Sequence, residues 1–205
     1  NAAYLGGEII QYRDAVLLPD GRYELRGLLR ARLGSDAFLA THEIGAAFIA
    51  LDSVGVASIA TNLGHVGQVR NYRAVGALEL VETAESQQFL FQARNLRPLS
   101  PVHVKALKMP NGDIALSWVR RSRMGAEWID GADAPLAEAE ERFELEILNG
   151  GSVVRSEALT ASDYLYLAND QISDFGAMPS QLGVRVYQIS ALVGRGDPGL
   201  QSFNF

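Results

Sequence analysis

Along most of the chain apolar and polar residues alternate in short runs separated by Gly, Pro, Asn and Asp, and a period of two predicts strands. Between Gly6 and Ser35 two apolar runs flank Pro19-Asp20-Gly21. Proline presets φ and glycine accepts a positive φ, so this stretch reads as a β-hairpin. On its second arm Tyr23, Leu25 and Leu29 share one face and Arg22, Arg26 and Arg30 the other. The pattern predicts a half-buried strand, with Gly27 at a bulge or a close approach. Further strands are expected in 45–62, around Asp52-Ser53, and in 77–96, which alternates over Leu78, Leu80, Phe89 and Phe91. The exception is a single helical turn expected near residue 36, capped by Ser35 or Asp36.

Near residue 98 the pattern breaks, because Pro98 and Pro101 bracket a Leu-Ser pair and proline cannot donate to a sheet ladder. Two domains follow: residues 1–97, a β-rich barrel or sandwich, and residues 98–205, a β-sandwich built from runs separated by turns such as Asn111-Gly112 and Asn149-Gly150-Gly151. The fold class is all-β. In the stretch GDIALSWVRRSR, Ile114, Leu116 and Trp118 share a face that points at the core, with Trp118 its anchor. Val186 joins that core from the penultimate run, and Tyr23, Leu25 and Phe48 are expected as core residues of the first domain. Arg120, Arg121 and Arg123 then leave the strand end together. A basic binding surface is one reading of them; pairing with the acid-rich segment 127–146 is the simpler one.

Composition narrows the function. Eighteen Lys and Arg against twenty-four Asp and Glu leave a net charge of −6, which argues against nucleic acid as the partner of the whole surface. Sixteen of the basic residues are arginines, the type suited to bidentate pairing with carboxylates. The absence of cysteine removes disulfides, thiolate catalysis and Cys-ligated zinc. No apolar run of about eighteen residues and no signal-peptide pattern is present, so neither membrane insertion nor classical secretion is indicated. A start at Asn1 instead of Met reads as a fragment, with Asn1-Ala2 as a scar of tag removal.

Candidate chemistry is sparse. His42, His65 and His103 form no close ligand pair, and His42 reads as a loop-fixing hydrogen bonder. The glycine-rich Leu63 to Gln68 lacks the lysine and the spacing of a phosphate cradle. Glu140-Glu141 reads as a charged strand entry or short helix, not as a glycosidase pair. Asp163, Asp170 and Asp174 lack the spacing of a calcium loop and read as solvated turns. Tyr164, Tyr166 and Tyr187 allow an aromatic sugar-binding face, against which stands ordinary strand packing. No catalytic, cofactor or metal residue is therefore assigned, and an enzyme is not expected.

Two blocks carry a family resemblance. The succession SPVHV, GDIALSWVRRSR, ERFELEIL and LGVRVYQISALVGRGDPG resembles a fibronectin type III domain over about residues 98–203. GRYELRGLLRARLGSDAFLATHEIGAAFIALD resembles a segment in the C-terminal part of the large tail-hub protein of gene transfer agents and related long-tailed phages. Tyr23, Leu25, Gly27, Leu28, Leu29, Arg30, Gly34, His42, Gly45, Phe48 and Asp52 keep that pattern, whereas Ala31 stands where the family usually has Gly and Ser35 where it has Thr. The resemblance implies a structural protein of a virion-like tail, made in the bacterial cytoplasm. Its partners would be other tail or baseplate proteins, two further copies of itself in a homotrimer, and a host-surface glycan. The alternative is a carbohydrate-binding accessory module of a larger hydrolase or adhesin, carried by Tyr164 and Tyr166.

Overall fold

A computed structural model describes residues 1–52, 55–124, 130–131 and 133–205. The N-terminal half contributes β1 (Ala2–Leu5), β2 (Glu8–Gln11), β3 (Asp14–Leu17), β4 (Tyr23–Arg26), β5 (Leu29–Arg32), β6 (Phe48–Ala50), β7 (Val69–Arg73) and β8 (Ser86–Leu90). The C-terminal half contributes β9 (Val102–Lys108), β10 (Ile114–Val119), β11 (Phe143–Asn149), β12 (Ser152–Leu159) and β13 (Asp163–Tyr166). These are followed by α1 (Ala168–Phe175), β14 (Gln181–Ser190), β15 (Gly194–Arg195) and β16 (Gly199–Asn204). The all-β expectation holds.

In the second half two antiparallel sheets face each other. One has the order β13-β10-β9; the other has β12-β11-β14, with β15 and β16 both pairing β14. This is an antiparallel β-sandwich, the architecture expected of residues 98–205. Its ladder obeys the period of two: Ile114, Leu116 and Trp118 of β10 are buried, and so are Phe143, Leu145 and Ile147 of β11 and Leu182, Val184 and Val186 of β14. Each such side chain withdrawn from water contributes about 1.5–3 kcal/mol. Trp118 meets Phe143 edge-on, 5.4 Å between ring centroids. The β11–β12 hairpin closes on Gly150 and Gly151, at φ +57° and +92°, the two left-handed positions that a two-residue turn of matching twist requires.

The first half is built differently. A four-stranded sheet of order β5-β2-β1-β6 stands beside two separate two-stranded sheets, β3-β4 and β7-β8. The β3-β4 hairpin turns where expected, with Gly21 N–H donating to Leu18 O at 3.0 Å. Three expected core residues are placed otherwise: Tyr23 is 66% exposed, Phe48 is 48% exposed, and Leu25 is only half-buried. The reason is that among the described residues no second layer lies on the β3-β4 hairpin, while Phe48 sits on β6, the edge of its sheet. Leu78 and Leu80 are exposed and lie in turns, not in a strand. Ser53 lies outside the described residues.

The segment expected as solvated turns instead contains α1, held from a distance. Its first N–H, on Ala168, donates to Asp113 Oδ1 at 2.8 Å, a cap supplied by the β9–β10 turn. Gln171 is fully buried, and its Nε2 donates to Gly112 O and Tyr166 O at 3.0 and 2.9 Å. Gly176 ends the helix in the left-handed conformation, donating to Ile172 O.

Candidate assembly surface

The polar centre of the N-terminal half is Glu8, which the sequence pattern does not single out. Its side chain is fully buried on β2. Arg30 grips it with Nε to Oε1 at 2.8 Å and Nη2 to Oε2 at 2.6 Å, and the Ala31 N–H donates to Oε1 at 2.6 Å. His42 Nε2 completes the set, 2.5 Å from Oε2. Led by the Arg30 hydrogen bonds, these contacts outweigh burial and lower the Glu8 carboxyl to about 2. An ionised carboxylate only accepts, so Nε2 is the imidazole nitrogen that carries the proton. The loop-fixing role expected of His42 is the one its contact with Glu8 describes.

Arg30 and Ala31 lie together opposite Ile10, because the β2–β5 register shifts between Ile9 and Gln11, and the resulting bulge aims both donors at Glu8. Ala31 adopts φ +54°, a left-handed conformation that costs a non-glycine residue about 1–2 kcal/mol. We therefore expect Ala31→Gly to stabilise the chain by about 0.5–1 kcal/mol, since the strain removed exceeds the extra freedom of the unfolded glycine. A Tm at or below that of the parent would count against a strained bulge. Ser35 does not cap the 3-10 turn Asp36–Phe38 with its side chain. Its buried hydroxyl accepts from Ile9 N–H at 2.9 Å and donates to Arg32 O at 2.8 Å, tying the turn to β2.

The arginines at the end of β10 are spoken for. Arg120 donates to Asp133 Oδ2 at 2.6 Å and to the Ala134 carbonyl, and Arg123 pairs with Glu138. Residues 127–129 and 132 of the acidic segment lie outside the described residues. Arg121 goes elsewhere: its guanidinium reaches Asp36 Oδ1 at 2.8 Å, and its main chain is clasped by the Gln188 amide at 2.6 and 2.8 Å. One residue of the sandwich thus binds the N-terminal half.

Around that bridge the connector is packed against β15 and β16. A Cβ on Gly196 would stand 2.4 Å from Pro98 O, and one on Gly199 2.3 Å from Pro101 O. Neither carbonyl can yield without moving the connector, so Gly199→Ala is expected to cost about 1–3 kcal/mol by overpacking. A urea midpoint unchanged by this substitution would show that the connector is free to shift.

The remaining candidates resolve into structure. Asp174 and Arg155 pair at 2.6 Å, with the Tyr166 hydroxyl donating to Asp174 at 2.7 Å, so Asp174 is not a solvated turn residue. Tyr166 and Tyr187 are buried and Tyr164 is half-buried, which leaves no exposed tyrosine platform. Burial is the first cause that raises the hydroxyls of Tyr164 and Tyr166 above the ordinary tyrosine range. His65 caps the Asn62 turn, and His103 occupies a left-handed position in β9, at φ +52°. Among the described residues no group of three His, Asp or Glu side chains could hold a metal ion, and no helix is long and apolar enough to cross a membrane.

What the N-terminal half offers is an uncovered apolar surface. Leu17, Tyr23, Leu29, Leu33, Ile44 and Leu78 are all more than half exposed, and Val69, Leu80 and Phe89 add to them. Some of these stand together: Leu17 is the register partner of Tyr23, and Leu33 and Phe89 line one cavity.

No curated protein sequence matches the chain. Among solved structures it is similar to the rat CD45 extracellular region, domains d3-d4, with 17% identity over 77% of this chain and 72% of that one, at a TM-score of 0.38. It is similar also to the FN5 domain of Drosophila Lar, with 14% identity over 52% of this chain and 95% of that one, at a TM-score of 0.30. Residues 1–49, which contain β1 to β6 almost entire and the whole Glu8 cluster, match the family model described as Rcc01698-like, C-terminal.

Proposed function

We propose that the chain is a non-enzymatic structural module of a phage-like tail hub, of the gene transfer agent or long-tailed phage kind, that gives neighbouring proteins a surface to dock on. The observation that carries this reading is the unequal burial of its two halves. The sandwich closes its own core, with all ten buried members of the main cluster between Ile114 and Val186. The N-terminal half buries few large apolar side chains and exposes many, as a surface does that other subunits complete. The resemblance of residues 23–52 to the tail-hub segment and the family match over residues 1–49 support the same reading. The partners are other baseplate proteins and further copies of the chain in a trimer, on the distal tail of a particle assembled in the bacterial cytoplasm; nucleic acid and membrane insertion play no part.

The test is location in an assembled particle. A gold-labelled antibody to an epitope appended to the chain should decorate the distal end of purified tails, and the protein should sediment with them. Purified tails that carry no label, with the protein recovered only outside the particles, would refute the role.

A further inference from the structure

The β7-β8 hairpin offers a docking partner an open strand edge. Among the described residues only one edge of β8 is paired, by β7. Phe91 N–H donates to Gln68 O at 3.2 Å, and this sets the alternation along the strand: Gln87, Phe89 and Phe91 turn their main-chain groups toward β7. Gln88 and Leu90 turn theirs away, and among the described residues nothing pairs with them on that side. Such an edge is a template for another strand.

Space for that strand is present. An open cavity of about 980 Å³ is lined by the consecutive residues from Gln87 to Asn95, and across from them by Tyr4, Ile9, Leu33 and Phe38. Lining by consecutive residues, not alternate ones, places the backbone edge against the space and not one face of the hairpin. The aromatic and aliphatic walls suit the alternating side chains of an extended segment.

Charge selects the segment. Among the described residues, twelve of the sixteen arginines stand within 4.0 Å of a carboxylate. The four that do not are Arg32, Arg70, Arg73 and Arg94. Arg94 lines the cavity, and its guanidinium lies 4.8 Å from the centre of the Phe38 ring. Arg70 stands opposite Phe89 on β7, and Arg73 donates to the Val81 carbonyl at 2.6 Å. Among the described residues no carboxylate lines the cavity. In a protein of net charge −6, this apolar trough thus carries a cation, Arg94, that has no carboxylate partner.

We infer that the open edge of β8 receives an extended, acidic polypeptide strand from a partner, bound by main-chain hydrogen bonds at Gln88 and Leu90 and by the Arg94 guanidinium in the cavity wall. This rests on the docking reading and names the partner's chemistry. The probe is a short acetylated peptide alternating valine and glutamate, followed by fluorescence anisotropy. It should bind, and its lysine counterpart should bind at least about tenfold more weakly. Arg94→Gln should weaken the acidic peptide, with rising salt doing the same. Gln88→Pro should abolish binding while leaving every hydrogen bond to β7, because the lost N–H points away from it. The same peptide N-methylated at alternate amides tests the main-chain bonds without altering the protein. Equal binding of the methylated or the lysine peptide, or no binding of the acidic one, overturns the inference. So does an oligogalacturonate that binds as tightly as the peptide and is indifferent to Gln88→Pro, since it would make the trough a sugar site. None of these outcomes bears on whether the chain sits at the distal tail, which particle labelling decides.

Discussion

Replacing Trp118 by alanine is expected to destabilise the sandwich by about 3–5 kcal/mol, the largest effect of any single truncation in the chain. Trp118 is 4% exposed and belongs to the core cluster, edge-on to Phe143. Its removal leaves a cavity between β10 and β11 that neither strand can fill, since both are held by ladders on either side. Its indole Nε1 is buried without a partner, which makes the ring's polar edge a cost and its apolar area the whole of its contribution. Trp118→Phe should therefore lose much less, about 1 kcal/mol, as a smaller apolar ring that leaves no donor unpaired. Urea or thermal unfolding of the two variants separates the ideas. An alanine variant as stable as the parent would remove Trp118 from the core, and a phenylalanine variant as damaged as the alanine one would mean that the indole nitrogen has a partner.

Breaking the Glu8 cluster is the second large effect, expected at about 3 kcal/mol for Glu8→Ala. The carboxylate is buried and accepts from Arg30, from Ala31 N–H and from His42, so alanine strands three donors at once and frees the β5 bulge that they hold. Arg30 is partly exposed and can turn toward water, which keeps the cost below that of a fully enclosed pair. The pH dependence has a definite sign. A carboxyl lowered from about 4.5 to about 2 by folding contributes stability that is fully present above the unfolded value and is lost as pH falls through about 2. Thermal melting of the parent between pH 6 and pH 2 should fall more steeply than that of Glu8→Gln, because the amide has no proton to take up. Parallel curves would mean that Glu8 has the same proton affinity in both states. If the docking role is correct, the bulge holding Arg30 and Ala31 is part of the presenting scaffold, and Glu8→Ala should also reduce incorporation into particles.

Much of the sandwich was legible in the pattern of residues. A strand with one face on a core must alternate, and Ile114, Leu116, Trp118 and Val186 stand where that alternation puts them. Turn chemistry was equally local: Pro19-Asp20-Gly21 and Gly150-Gly151 carry their conformations within themselves. In the first half the same alternation does not report burial, because it fixes which residues share a face and nothing about whether another layer covers it. Tyr23 and Phe48 sit on such faces, and both are exposed.

Other features had no local signal to find. Helix α1 depends on Asp113 and on carbonyls of Gly112 and Tyr166, groups brought in by the β9–β10 turn and the end of β13. Glu8 looked like any polar residue at a strand start, and only the convergence of β5 and the His42 loop made it the buried centre of a cluster. Arg121 was indistinguishable from Arg120 and Arg123 until the tertiary structure set Asp36 beside it.

From the order of its residues alone this protein determined that it would be built of strands, where its chain would turn, and which face of β10 would meet a core. The tertiary structure decided which apolar faces found a second layer and which stayed exposed. Alternation and turn propensity act over a few neighbouring residues, whereas burial and charge pairing depend on elements distant in the chain that meet only when it folds.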